Sequence, residues 1–189
     1  MNRADCLYLG LALWFLAAPP VRATTVMEKN LDSLCAEADH VFTGKVVAIE
    51  PQWTDAARRH IETVVTFETI EPLYGADSAF ISLRFAGGQI GDLVERVQGV
   101  PRFARGEHGV IFARDGHFAS PLVGFHQGYF RVQGEGEAAA VLRPSYEFVG
   151  ALADGSRLLS SEVQGVGATP LRGFLDALRQ RLRQREANQ

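Results

Sequence analysis

Apolar residues along the chain fall into three kinds of pattern. The first is an unbroken run. Cys6 to Ala18 carries no charge, follows Arg3, and is stopped by Pro19-Pro20; Val21-Arg22-Ala23 then offers modest and small side chains at the two positions a signal peptidase reads. The run is shorter than the about 20 residues a membrane span needs. Residues 1–23 are therefore expected to be a cleavable signal peptide, with an uncleaved anchor as the competing reading. The mature chain then begins at Thr24 and works in the periplasm or as a secreted protein.

The second kind has helical spacing. Met27, Leu31, Leu34, Cys35 and Ala38 recur on one stripe between Glu28, Lys29, Asp32 and Glu37, which predicts a helix over 26–38 with Thr25 as its cap. Near the other end, Thr169-Pro170 predicts a helix start, with Thr as cap and Pro at the first helical position. Leu171, Phe174, Leu175, Leu178 and Leu182 then form the apolar stripe of an amphipathic helix. Arg172, Arg179, Arg181, Arg183 and Arg185 occupy its other faces, and the late ones suit the negative end of the helix dipole. A basic amphipathic helix can lie on a membrane surface; a helix docked on the domain with solvated arginines is the preferred reading.

The third kind alternates. His40–Ile49 is β-branched, with Gly44 marking a bend or bulge. His60–Leu73 puts Ile61, Val65 and Phe67 on one face and Glu62, Thr66 and Glu68 on the other. The apolar phase flips before Ile70, which predicts a bulge between Phe67 and Ile70. In Phe80–Phe85, Ile81, Leu83 and Phe85 alternate with Ser82 and Arg84. Gly87–Arg105 reads as a long irregular segment with one helical turn at Asp92–Val97. Gly109–Ala113 and His117–Leu122 are expected to pair through Asp115-Gly116, and His126–Val132 and Ala138–Leu142 through Gly134-Glu135-Gly136. Residues 144–168 have weak patterning.

Short strands, bulge signals and no βαβ alternation predict a mainly β fold. The specific expectation is a closed five-stranded barrel of the oligonucleotide/oligosaccharide-binding (OB) type around one apolar interior, with an N-terminal helix and a C-terminal amphipathic helix. The barrel is assigned to residues 24–143 and a C-terminal extension to 144–189.

Composition narrows the function classes. The full chain has a formal net charge of −3, and −4 without residues 1–23, which carry Arg3, Arg22 and Asp5. That balance does not suggest a nucleic acid or an anionic membrane as partner. Cys35 is the one cysteine beyond Cys6, so the mature chain has no internal disulfide, and Cys35 reads as a small buried hydrophobe.

The stretch Leu34-Cys35-Ala36-Glu37-Ala38-Asp39-His40-Val41-Phe42-Thr43-Gly44-Lys45-Val46-Val47 resembles the opening of the tissue inhibitors of metalloproteinases and related netrin-like domains. Thr66–Gly75 is similar to that family's long strand ending in an aromatic-x-Gly step, and His108–Ala113 to its fourth strand. The resemblance covers roughly residues 25–132. It implies a non-enzymatic module whose partner is a protein, in its most concrete form a secreted metalloprotease. In the family the first residue's amine and carbonyl chelate the protease zinc; here that role would fall to Thr24-Thr25. The chain lacks the family's Cys-x-Cys start and the disulfides that hold it rigid.

Gly87-Gly88-x-x-Gly91 does not open a helix inside a βαβ unit, so it reads as a turn-forming loop at the barrel mouth, not a nucleotide fingerprint. Thr24, Thr25, Gly87, Gly88 and Gly91 are the candidate binding residues. His108, His117 and His126 are too widely spaced for a usual zinc pair. There is no Gly-x-Ser-x-Gly elbow and no convincing carboxylate pair. No catalytic residue, metal or cofactor is assigned, although a barrel mouth can host a site that sequence order hides. Trp53, Phe85, Phe103, Phe118, Phe125, Tyr129 and Phe130 lie on or beside strands; core packing is their default role, and stacking on a sugar ring is the other. The alternative function is an envelope or extracellular module binding a glycan or protein on the barrel face.

Overall fold

The computed structural model describes residues 29–116, 119–142, 148–153, 157–161 and 169–188. Residues 1–23, expected to be a signal peptide, and Thr24, Thr25, His117 and Phe118 lie outside these.

The first described helix, α1, is Leu31–Glu37. It starts later than the apolar stripe suggests because Asn30 is extended and its side chain accepts a hydrogen bond from the Ser33 N–H at 2.8 Å. The predicted cap, Thr25, is outside the described residues. The chain then enters two 14-residue strands, β1 (His40–Trp53) and β2 (Ile61–Tyr74), followed by β3 (Phe80–Ala86), all paired antiparallel in sequence.

The β1–β2 register jumps three times. Val47 on β1 and Ile70 and Leu73 on β2 have no partner opposite them. The jump at Ile70 sits beside Gly44, at the far end of the interval in which a bulge was expected, but the burial phase does not flip there: Val65 and Phe67 are buried and Ile70 points to solvent, so the alternation runs on through it. Each extra residue bends and twists the ladder, which lets one long strand pair with β2 on one edge and, through His40–Lys45, with β6 (His108–Ala113) on the other.

The segment after β3 holds a short hairpin, β4 (Gly88–Ile90) with β5 (Leu93–Glu95), where a helical turn was expected. Gly91-Asp92 between the strands is one of the two-residue sequences that favour tight hairpin turns, and Gly91 has φ +58°. After β6 the chain turns at Asp115-Gly116 and returns beside it through the Ala113–Leu122 bridge and the Arg114 N–H to Pro121 carbonyl bond. Four further strands complete the sheet: β7 (Tyr129–Gln133), β8 (Ala140–Leu142), β9 (Phe148–Ala153) and β10 (Arg157–Ser161). The last two form a hairpin within the stretch whose sequence pattern is weak.

The fold is mainly β, but the main sheet is not a closed barrel. Its eight strands run β10-β9-β8-β7-β6-β1-β2-β3, and among the described residues no ladder joins β3 back to the other end. The gap between β3 and β7 is bridged by a side chain, and a backbone hydrogen bond from the end of β3 reaches the segment between β6 and β7. Phe103, from the loop after β5, packs its ring on Phe85 of β3 and Tyr129 of β7, with centroids 4.8 and 5.0 Å apart. The Ala86 N–H donates to the Ala119 carbonyl.

There are also two apolar cores, not one. Phe42, Val46, Val65, Phe67, Leu83, Phe85, Ile111 and Tyr129 fill the inside of the curl. The opposite face, with Val41, Val110, Phe112, Phe130 and Val141, is covered by α1 and the C-terminal helix α2 (Leu171–Ala187). This is why β6 is buried on both faces. Helix α2 docks through the predicted stripe, burying Phe174, Leu175, Leu178 and Leu182. Its cap is Pro170, one residue later than expected. Three of its arginines are tied down instead of solvated. Arg179 reaches Glu71, Arg181 bonds Asp32 at 2.7 Å, and Arg185 donates to the carbonyls of Cys35 and Ala38 at the end of α1 while lying 4.4 Å over the Tyr74 ring. Cys35 is 3% exposed, and its burial pushes the thiol up to about 12. Among the described residues no helix is long and apolar enough to cross a membrane.

Candidate binding cleft

The β4–β5 hairpin folds over the open end of the inner core and leaves a cleft of about 360 Å³ beneath it, in the size range of small-molecule sites. Its apolar floor comes from Ile49 of β1, Val65 of β2, Phe85 of β3 and Phe103. The walls are the Gly87–Gln89 crossing on one side and the Val94–Phe103 loop on the other.

Gly87 and Gly88 shape one wall, and the reason is steric. A Cβ on Gly87 would lie 2.8 Å from the Glu95 carbonyl oxygen, and one on Gly88 would lie 2.5 Å from Thr63 Oγ1. The backbone therefore crosses directly over β2, where the Gly87 N–H donates to the Ile61 carbonyl and the Thr63 hydroxyl donates to the Gly87 carbonyl, both at 2.7 Å. Gly91 is at the hairpin tip, away from the cleft, with nothing within 4 Å of where its Cβ would be. The five predicted binding residues are thus divided: Gly87 and Gly88 line the cleft, Gly91 does not, and Thr24 and Thr25 are outside the described residues.

Glu95 holds the other wall. Its carboxylate accepts the Ile61 N–H at 2.6 Å and faces His60 Nδ1 at 3.1 Å. The Ile61 hydrogen bond, with help from His60, holds its carboxyl below the usual carboxylate range. Phe103 is set by a buried cluster next to it. Glu107, whose side chain is 7% exposed, accepts the Tyr129 hydroxyl at 2.8 Å, the Arg131 Nε–H and the Ala104 N–H. Burial, and then the nearby Glu107 charge, raise the Tyr129 phenol; it stays a neutral donor.

Phe85, Phe103, Tyr129 and Phe130 pack in the cores, as the default reading of the aromatics holds. Phe125 is exposed with φ +67°, and Phe118 is outside the described residues. His108 lies in β6 opposite Lys45 and Val132; burial and then Lys45 lower its pKa. Among the described residues, no three His, Cys, Asp or Glu side chains converge on one point. A larger hollow of about 600 Å³ lies between the β2–β3 surface and the Arg114–Pro121 turn. The Arg84–Glu62 ion pair lies on its lining.

Sequence reasoning missed Val94, Glu95, Arg96, Val97, Val100 and Arg102 as site residues. The Gly91-Asp92 turn between Ile90 and Leu93-Val94 was the available signal for the hairpin; which side chains then face the inner core depends on how that hairpin folds back.

No protein-family model, curated protein or solved structure matches the chain.

Proposed function

We propose that this chain is an exported, non-enzymatic binding module and that the cleft beneath the β4–β5 hairpin is its binding site. The observation that carries this is the mismatch between floor and rim. Ile49, Val65, Phe85 and Phe103 offer an apolar bed at the open end of a packed core, while Thr63, Gln89, Arg96 and Arg102 supply polar groups around it. Strand order supports a relative of the OB architecture with an open seam. The run β3-β2-β1-β6-β7 has one long bent strand shared by two pairings, as small barrels of that type require.

Mapping of small apolar and amphipathic fragments by amide chemical shifts tests the site. Shifts should cluster on Ile49, Thr63, Val65, Gly88 and Phe103, and should vanish when Val100→Trp fills the cleft. Shifts centred on exposed Phe80 or Phe125 instead, or unchanged by the filling variant, would count against it.

The narrower role, modulation of a secreted metalloprotease through Thr24-Thr25, is supported by the resemblance of residues 34–47, 66–75 and 108–113. Adding one alanine before Thr24 should abolish inhibition if that terminus chelates zinc; unchanged potency would exclude the chelation.

A further inference from the structure

Charge at the cleft is one-sided once the committed groups are subtracted. Of its charged lining residues, Glu95 is held by the Ile61 N–H and His60. Arg96 and Arg102 are exposed and make no ion pair among the described residues. Of the other carboxylates in this segment, Asp92 sits in the hairpin turn outside the cleft lining and Glu107 is turned inward onto Tyr129 and Arg131. Arg105 is also exposed, and Lys45 passes within 4 Å of where a Gly106 Cβ would be. In a chain of net charge −3, an apolar hollow rimmed by two guanidinium groups that make no ion pair among the described residues is a local reversal of sign.

We propose that the cleft is built for an aromatic carboxylate, its ring on Ile49 and Phe103 and its carboxylate held by Arg96 and Arg102. This rests on the cleft being the binding site and adds the ligand's chemical class. The floor favours a ring, because Phe103 already meets its neighbours edge-on and at a tilt, the arrangements aromatic pairs prefer. The rim favours a carboxylate because the guanidinium fork matches its two oxygens. The volume, about 360 Å³, holds a bicyclic ring with room for its acid group. A peptide ending in an aromatic residue presents the same chemistry.

The test is direct binding of 2-naphthoate, 2-naphthylmethanol and 2-naphthylmethylamine to the full chain by calorimetry or shift titration. Naphthoate should bind about tenfold or more tighter than the neutral alcohol, and the amine weakest. The preference should shrink between low and high salt and fall to about twofold or less in Arg96→Gln/Arg102→Gln. Arg105→Gln, in the same loop but outside the cleft lining, should keep it. N-acetyltryptophan beside naphthoate identifies the source: tighter binding of the former points to a peptide C-terminus, of the latter to a free acid. Acid and alcohol binding equally in the unaltered chain would overturn the anion assignment and leave the cleft standing, as would a tighter amine. Failure of all three probes at about 5 mM would overturn both.

Discussion

Gly109→Ala is the sharpest probe of how the inner core is held. Gly109 has ordinary backbone geometry, since its φ is outside the left-handed region, but a Cβ there would lie 2.3 Å from Tyr129 Cε2 and 2.9 Å from its Cζ. The ring cannot yield cheaply. Its edge meets Phe103 at a centroid distance of 5.0 Å, and its hydroxyl is fixed on Glu107 at 2.8 Å. Overpacking a filled core costs about 1–3 kcal/mol. Losing a hydrogen bond to a buried carboxylate adds about 1.5–3 kcal/mol. The expected loss is therefore about 3–5 kcal/mol, read as a lowered urea midpoint with an unchanged slope. The deciding measurement repeats the substitution in Tyr129→Ala. With the ring gone, the three atoms nearest the new methyl are removed, and Gly→Ala should be neutral or stabilising by about 0.4–1 kcal/mol through the unfolded chain. An equal loss in both backgrounds would refute the reasoning, because the cost would not then come from the ring.

Three further outcomes follow from named contacts. His40 places Nδ1 against the Gly75 carbonyl and Nε2 2.9 Å from Asp115. Burial lowers its pKa, but the Asp115 and Gly75 acceptors together outweigh that and raise it above 6.5. Its stabilisation is therefore full below pH 6.5 and lost as pH rises through the folded value. His40→Ala should cost more at pH 5.5 than at pH 8.5, and a pH-independent cost in denaturation would contradict this. Arg185→Ala should lower stability by about 1–3 kcal/mol, because the Cys35 and Ala38 carbonyls lose a charged donor and Tyr74 its stacked cation; Arg185→Lys should recover only part, and full recovery in thermal melts would argue against the fork geometry. The Cys35 thiol, buried and pushed up to about 12, should resist a thiol reagent at pH 8 until denaturant unfolds the chain, so rapid labelling of the native protein would show the α1–α2 seam to be open.

The open seam has a clear physical origin. Along the sequence, bulges at Gly44 and Ile70 say that the sheet curls, and they do curl it. Whether a curled sheet closes depends on whether its terminal strands meet in register, and no residue-by-residue pattern encodes that. Here β7 continues into β8 instead of pairing with β3, and Phe103 occupies the gap. Nor does alternation count layers: Ile111 and Phe112 are both buried, one facing each core.

Local signals alone set the alternating strands, the Asp115-Gly116 turn and the apolar stripe of α2, because each arises from contacts within a few residues. The cleft was decided by tertiary structure. Its lining joins Ile49, Val65, Phe85 and Phe103 from separate segments; the β1–β2–β3 ladders bring the first three together, and Gly87 and Gly88 let the chain cross β2 at close range while Glu95 anchors the returning strand to Ile61, which raises the walls above them. A site assembled by long-range closure carries no period or spacing in the chain, so the same residues that read as an irregular loop became the wall of the cleft once the sheet had curled beneath them.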